Sequence, residues 1–182
     1  MRYHLPNEVV IAYKRSHRPD LIFASTRLRD NEFLQNDLLQ CDEVADEFLV
    51  TTYSIINSPS VHQSMLLMER TTSPLDAFDL CMHQNDKNVR NAFIEKIIET
   101  EHCSTGFEML PNRTFDEEML FLTRIDKEFV ASLFWQCDFR HEKIMRTILL
   151  KRSTQPVVIL SQLDNVTMEE IKMVADREKM IL

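Results

Sequence analysis

The sequence predicts an all-α protein, and three observations carry that expectation: near-absence of glycine, repeated helix-capping pairs and apolar stripes of helical period. Glycine occurs once in 182 residues, at Gly106, where average usage would give about a dozen. Sheets with tight hairpins need glycine wherever φ is positive. Phosphate-cradling loops need it so that backbone can approach the ligand. Helices joined by short Asp, Asn, Ser and Pro turns do not.

The caps mark where helices begin. Ser58-Pro59 and Ser73-Pro74 each place a hydroxyl ahead of a proline at the first helical position, where its missing N–H costs nothing. Thr114 with Glu117 and Thr167 with Glu170 fit the reciprocal capping box. Asp86, Asp126 and Asp138 are candidate caps for three more helices. Apolar spacing agrees with these starts. Leu49, Tyr53 and Ile56 form one stripe, Val61, Ser64, Met65 and Met68 another, and Leu75, Phe78 and Met82 a third. Val89, Ala92, Phe93 and Ile97 continue the pattern. Phe121, Ile125, Phe129 and Leu133 line one side of the 115–137 region, with Val130, Phe134 and Cys137 on a second, so this region is expected to be central. The last helix is expected to carry its apolar stripe on Met168, Ile171, Ala175 and Ile181 or Leu182.

Together these signals predict helices near 20–29, 32–42, 45–57, 59–70, 74–84, 87–101, 115–125, 127–137, 139–151 and 167–181. Two β-like runs, 9–13 and 157–160, are candidate short peripheral strands. The widest expected loop is 102–114, which holds Gly106, Pro111 and Asn112. The length suits a single helical domain over 1–182, arranged as a multi-helix bundle or a short irregular α-solenoid, with 102–114 as a candidate subdivision.

Charge is uneven along the chain. The total is −8, but residues 1–30 carry +3, residues 31–126 carry −12 and residues 127–182 carry +1. An acidic middle disfavours a continuous nucleic-acid track, which depends on Lys and Arg neutralising phosphates. The basic N-terminal stretch, with Lys14, Arg15, Arg18, Arg27 and Arg29, remains a candidate nucleic-acid contact or nuclear-import patch. Four widely spaced cysteines, no CxxC and no secretory or membrane-spanning run predict reduced thiols in a cytoplasmic or nuclear protein.

The segment from Leu75 to Ile98 resembles a HEAT or armadillo-type helical repeat unit. It places the turn aspartate Asp86 ahead of Val89-Arg90, then Ala92 and the Ile97-Ile98 pair. The resemblance covers 24 of the 182 residues. It implies antiparallel helix pairs that stack on their neighbours and present a protein-binding face. The period of ~40 residues that such repeats show is not evident elsewhere in the chain.

No familiar catalytic constellation assembles. His141-Glu142 opens like a metalloprotease helix, but position 145 is Met where a second histidine is required. Cys81 and His83 stand two apart and point to different helix faces, and His102-Cys103 follows a separate helix. Cys137 falls on an apolar stripe, the usual place of an inert thiol. Asp116, Glu117 and Glu118 fill a first helical turn, where the helix dipole favours carboxylates. No cofactor or metal is therefore expected. The leading expectation is a non-catalytic scaffold, adaptor or regulatory subunit that binds another protein. Phe134, Trp135 and Phe139 are candidate contact residues, as are the terminal Met180, Ile181 and Leu182. Two alternatives stand beside it: a helical protein that contacts RNA or DNA through residues 14–29, and an enzyme with a composite His, Cys and carboxylate site.

Overall fold

Where the computed structural model describes the chain, at residues 31–40, 45–54 and 56–179, every regular element is helical and no strand occurs. Eleven α-helices follow in order: α1 (Glu32–Gln40), α2 (Asp46–Ser54), α3 (Val61–Arg70), α4 (Pro74–Cys81), α5 (Lys87–Ile97), α6 (Cys103–Met109), α7 (Phe115–Arg124), α8 (Lys127–Leu133), α9 (Lys143–Arg152), α10 (Pro156–Gln162) and α11 (Met168–Lys179). Short 3₁₀ turns extend α4 over Met82–Gln84 and α8 over Phe134–Gln136. The chain divides into two compact units, Met1–Phe93 and Ile94–Leu182, with the boundary inside α5.

The capping chemistry reads through to the structure at several ends. The Thr114 hydroxyl accepts from Glu117 N–H while the Glu117 carboxylate accepts from Thr114 N–H. Thr167 and Glu170 exchange the same pair of bonds. Asp86 accepts from the N–H groups of Asn88 and Val89, and Asp126 accepts from Glu128. Pro74 lies in the first turn of α4 behind Ser73, but the Ser73 hydroxyl, expected as its cap, makes no capping hydrogen bond.

Other expectations are corrected. The capping box of α3 belongs to Ser60 and Gln63, because Ser58 is held at φ 53°, away from the extended backbone that a cap adopts. Asp138 caps no helix. It is turned toward Arg113, and α9 starts at Lys143 behind Glu142, four residues later than the spacing suggests. The run 157–160 is not a strand but part of α10. Pro156 sits at its first turn, and Pro156 and Ile159 are buried while Val157 and Val158 are exposed, a spacing of three that suits a helix and not a pleat. The expected loop 102–114 contains α6. Gly106 lies inside that helix with ordinary negative φ, and a Cβ there would stand 3.1 Å from Cγ2 of the buried Ile97 and closer still to Cγ1. The one glycine therefore serves close packing of α6 on Ile97. Among the described residues, positive φ is left to Ser58, Asn85, Asn112 and Asn165. The expected helix at 20–29 and the run 9–13 lie outside the described residues.

Each unit packs along the chain. In the first, α1 packs on α2 and α3, α2 on α3 and α4, and α3 on α4. In the second, α6 packs on α8, α7 and α8 on α9, and α9 and α10 on α11, with α9 also on α10. Among the described helices, every substantial contact joins helices that are adjacent or next but one in sequence, the nearest-neighbour logic of repeat arrays. Alternate helices start at Glu32, Val61, Lys87, Phe115, Lys143 and Met168, which gives offsets of 29, 26, 28, 28 and 25 residues. This spacing is shorter than the ~40 residues of the HEAT and armadillo class.

A recurring arginine marks the period. Arg70 at the end of α3 donates to the carbonyl of Leu39 in α1 at 2.6 Å. Arg152 at the end of α9 donates to the carbonyls of Leu122 and Ile125 at the end of α7. Arg177 in α11 donates to the carbonyls of Leu150 and Ser153 at the end of α9. Helix C-termini leave carbonyls without intrahelical partners, and a guanidinium fork satisfies two at once while meeting the negative end of the dipole. Arg124 holds the same place at the end of α7 and pairs with Glu95.

The apolar cores agree with most of the expected stripes. Leu49, Tyr53, Phe78, Val89, Phe93, Phe121, Ile125, Val130 and Leu133 are buried. Phe78 and Phe93 stack with ring centroids 4.0 Å apart, and Phe107 meets Phe121 edge-on at 5.1 Å. The last helix departs from expectation. Glu170 and Val174 face inward, while Met168, Ile171 and Ala175 are exposed. The cause is a buried ion pair: Arg146 Nε and Nη2 donate to the two Glu170 carboxylate oxygens at 2.7 and 2.9 Å, and Arg146 Nη1 donates to Asp164 O at 2.8 Å.

Candidate functional site

The six-residue turn 134–139 is where exposed aromatic surface and dense backbone anchoring coincide. Phe134, Trp135 and Gln136 form the 3₁₀ extension of α8. Phe134 points inward at 2% exposure, while Trp135 is 60% exposed and meets Phe134 edge-to-face at 4.9 Å. Phe139 is half-buried and lies edge-on to Phe115 at 5.6 Å. Of the aromatic candidates, Trp135 is thus exposed, Phe134 is buried against it and Phe139 is half-buried. Met180, Ile181 and Leu182 lie outside the described residues, as do Lys14, Arg15, Arg18, Arg27 and Arg29.

The turn is held by a buried ion pair. Glu118, in the first turn of α7, is fully buried. Its carboxylate accepts from the backbone N–H groups of Asp138 at 2.8 Å and Phe139 at 3.2 Å, and from Arg113 Nε at 3.2 Å. Arg113 donates onward to the carbonyls of Phe107 and Leu110 at 3.1 and 3.2 Å, and to Gln136 O at 2.5 Å. Its guanidinium also lies 4.3 Å from the Phe107 ring centroid. Burial of a charge is costly unless every lone pair and proton is engaged, and here the pair is engaged mainly with backbone. Arg140 adds a bond to Cys137 O at 2.9 Å. Outside this anchor the rim is acidic: Glu108 accepts from Gln136 at 2.7 Å, and the Asp138 side chain is largely exposed. In the sequence, Glu118 reads only as a first-turn carboxylate favoured by the helix dipole, and Arg113 carries no local role. The available signal was an Arg five residues ahead of a first-turn carboxylate.

The three cysteines among the described residues, Cys81, Cys103 and Cys137, are buried. Cys137 is pushed up to about 12, by burial first and then by the nearby Glu118 charge, against the pull of Arg113 and Arg140. Burial likewise raises Cys81 and Cys103. A thiol so raised is protonated near neutral pH and is a poor nucleophile. Cys81 faces the buried pair Tyr53 and Ser64, whose hydroxyl oxygens stand 2.5 Å apart. Burial raises the Tyr53 phenol as well. His83 is exposed beside Leu80 O, and His102 is exposed beside Glu101. Among the described residues, no three or more His, Cys, Asp and Glu side chains converge.

One cleft of about 210 Å³ lies between α9 and α11 and is lined by His141, Lys143, Arg146, Glu169 and Glu170 among others. Its central guanidinium is committed to Glu170, so the charge faces protein and not the opening. Burial works to raise the Glu170 carboxyl, but the Arg146 and Thr167 hydrogen bonds outweigh it and hold the group below the ordinary carboxylate range. No described helix is long and apolar enough to cross a membrane. No family model, curated protein or solved structure matches the chain.

Proposed function

We propose that this chain is a non-catalytic, protein-binding helical scaffold or adaptor, and that Trp135 is the anchor of a partner-contact surface. The observation that carries the reading is an exposed tryptophan on a turn whose backbone is tied down by Arg113 and Glu118. Tryptophan dominates contact energetics because it brings a large apolar face and a polar N–H. A turn fixed beforehand loses little entropy when it binds. The acidic rim of Glu108 and Asp138 favours a partner segment with basic residues beside an apolar pocket.

Trp135 is the sole tryptophan, so its emission reports on this surface without a label. Binding of the partner recovered from the native source should shift that emission to the blue. Trp135→Ala should release the partner while changing stability by no more than ~0.5 kcal/mol, as for other exposed positions. Retention of the partner by Trp135→Ala, at unchanged affinity, would remove this reading. The nucleic-acid alternative rests on Lys14, Arg15, Arg18, Arg27 and Arg29, and nothing among the described residues favours it.

A further inference from the structure

The exposed face of α11 stands where α7 has α9, and α9 has α11, packed upon it. Each alternate helix has two faces one residue apart in register. One face reaches back, through Gln63, Leu67 and Arg70 in α3, Met145, Leu149 and Arg152 in α9, and Glu170, Val174 and Arg177 in α11. Its members meet the preceding alternate helix: Gln63 donates to Gln35 at 2.8 Å, Arg70 to Leu39 O, Arg152 to Leu122 and Ile125 O, Glu170 pairs with Arg146, and Arg177 takes Leu150 and Ser153 O.

The second face lies one residue further along, and in α7 and α9 it belongs to the helix on which the next alternate helix packs. It comprises Ser64, Met68 and Thr71 after α3's back face, Glu118, Leu122 and Ile125 in α7, and Arg146, Leu150 and Ser153 in α9. All nine of these residues are buried. The corresponding residues of α11 are Ile171, Ala175 and Glu178, and all three are exposed, with Ile171 at 43% and the flanking Met168 at 77%. Met168, Ile171 and Ala175 follow i, i+3, i+7, so they share one stripe. Within the second unit α9 and α11 run parallel, because Lys143 approaches Glu169 at one end and Arg177 reaches Ser153 O at the other.

We infer that the Met168, Ile171 and Ala175 face of α11 is a docking site for an amphipathic helix of a partner protein, laid parallel to α11. The occupant carries apolar residues at i and i+4 against Ile171 and Ala175 and an arginine at i+7 that reaches the last-turn carbonyls of α11. Its chemistry is set by the molecule's own interfaces: Met145, Leu149 and Arg152 present that triad to α7, and Val174 with Arg177 present its last two members to α9. The apolar Ile171 stands where α9 has the charged Arg146, so the incoming residue at i is apolar and not a carboxylate. This site is separate from the Trp135 surface and stands on different residues.

The test pans the full chain with phage-displayed helical peptides of ~14 residues, about four turns, randomised at i, i+4 and i+7. The selection is repeated against Ile171→Asp, Met168→Asp and Trp135→Ala. All three positions are exposed, and circular dichroism confirms that each variant is folded. Selection of apolar residues at i and i+4 with arginine at i+7, and loss of those binders by at least about tenfold in Ile171→Asp and Met168→Asp, is the expected result. Trp135→Ala should bind them as the wild type does. Binders that ignore Ile171, or show no preference at the three positions, overturn the proposal. Binders lost only in Trp135→Ala also overturn it while leaving the Trp135 reading intact. Self-association in sedimentation equilibrium that Ile171→Asp abolishes would give the face to a second copy and overturn the partner helix.

Discussion

At the residue scale, polar groups that look chemical in the sequence are spent on holding backbone. Glu118 and Arg113 anchor the 134–139 turn, and Arg146 with Glu170 joins α9 to α11. Removing one member of such a pair strands the other as a buried charge. Arg146→Ala should therefore lower unfolding free energy by ~3–5 kcal/mol, read by urea denaturation. The pair also makes stability pH-dependent. The folded Glu170 carboxyl is held below its ordinary value, chiefly by Arg146 against the opposing effect of burial. Its contribution is present above the unfolded value and is lost as pH falls through the lowered folded value. The stability gap between wild type and Glu170→Gln should accordingly be constant near neutrality and close in acid. A gap that stayed open at low pH would show that the pair's charge is not its source. Gly106 offers a second case. Gly106→Ala gains helix propensity worth at most ~1 kcal/mol but overpacks Ile97, which costs ~1–3 kcal/mol. Net destabilisation should show in thermal melts and be smaller in an Ile97→Ala background, which removes both γ carbons that the new Cβ would meet.

At the scale of elements, helix ends are matched to partners. Thr114→Ala should cost about 1 kcal/mol, since it removes half of a reciprocal cap. Arg152→Ala should cost more, ~2 kcal/mol, because two carbonyls at the end of α7 lose a charged donor. Calorimetry on the two variants checks the order. The caps at Asp86, Thr114, Asp126 and Thr167 are legible because capping is local: the hydroxyl or carboxylate and the N–H it serves lie within three residues. The Ser58 assignment failed on the same scale, since two serines flank Pro59 and only backbone φ separates them. The 157–160 run failed because four consecutive apolar residues carry no period, and the proline at its head favours a helix start as well as an extended chain.

At the scale of the molecule, packing joins helices that are neighbours or next but one. Such a chain transmits a defect to adjacent helices first. Leu149→Ala removes a fully buried side chain from α9 and should cost ~2–5 kcal/mol. Hydrogen exchange in that variant should rise first in α9 and in the helices packed on it, α7, α8, α10 and α11. Uniform acceleration across the described helices would mean that the chain unfolds as one cooperative body.

The sequence by itself determined that this protein is helical, where most of its helices start and which stripes of α2, α4, α5, α7 and α8 are apolar. Those properties follow from interactions within one or two turns. Only the tertiary structure decided which side of α11 faces inward, because Arg146, 24 residues away, draws Glu170 into the interior and turns Met168, Ile171 and Ala175 to solvent. It likewise decided that Gly106 serves close packing, that Trp135 is presented while Phe134 is buried, and that arginines at the ends of alternate helices close the carbonyls of the helix before. Each depends on contacts between residues distant in the chain, which neither period nor propensity records.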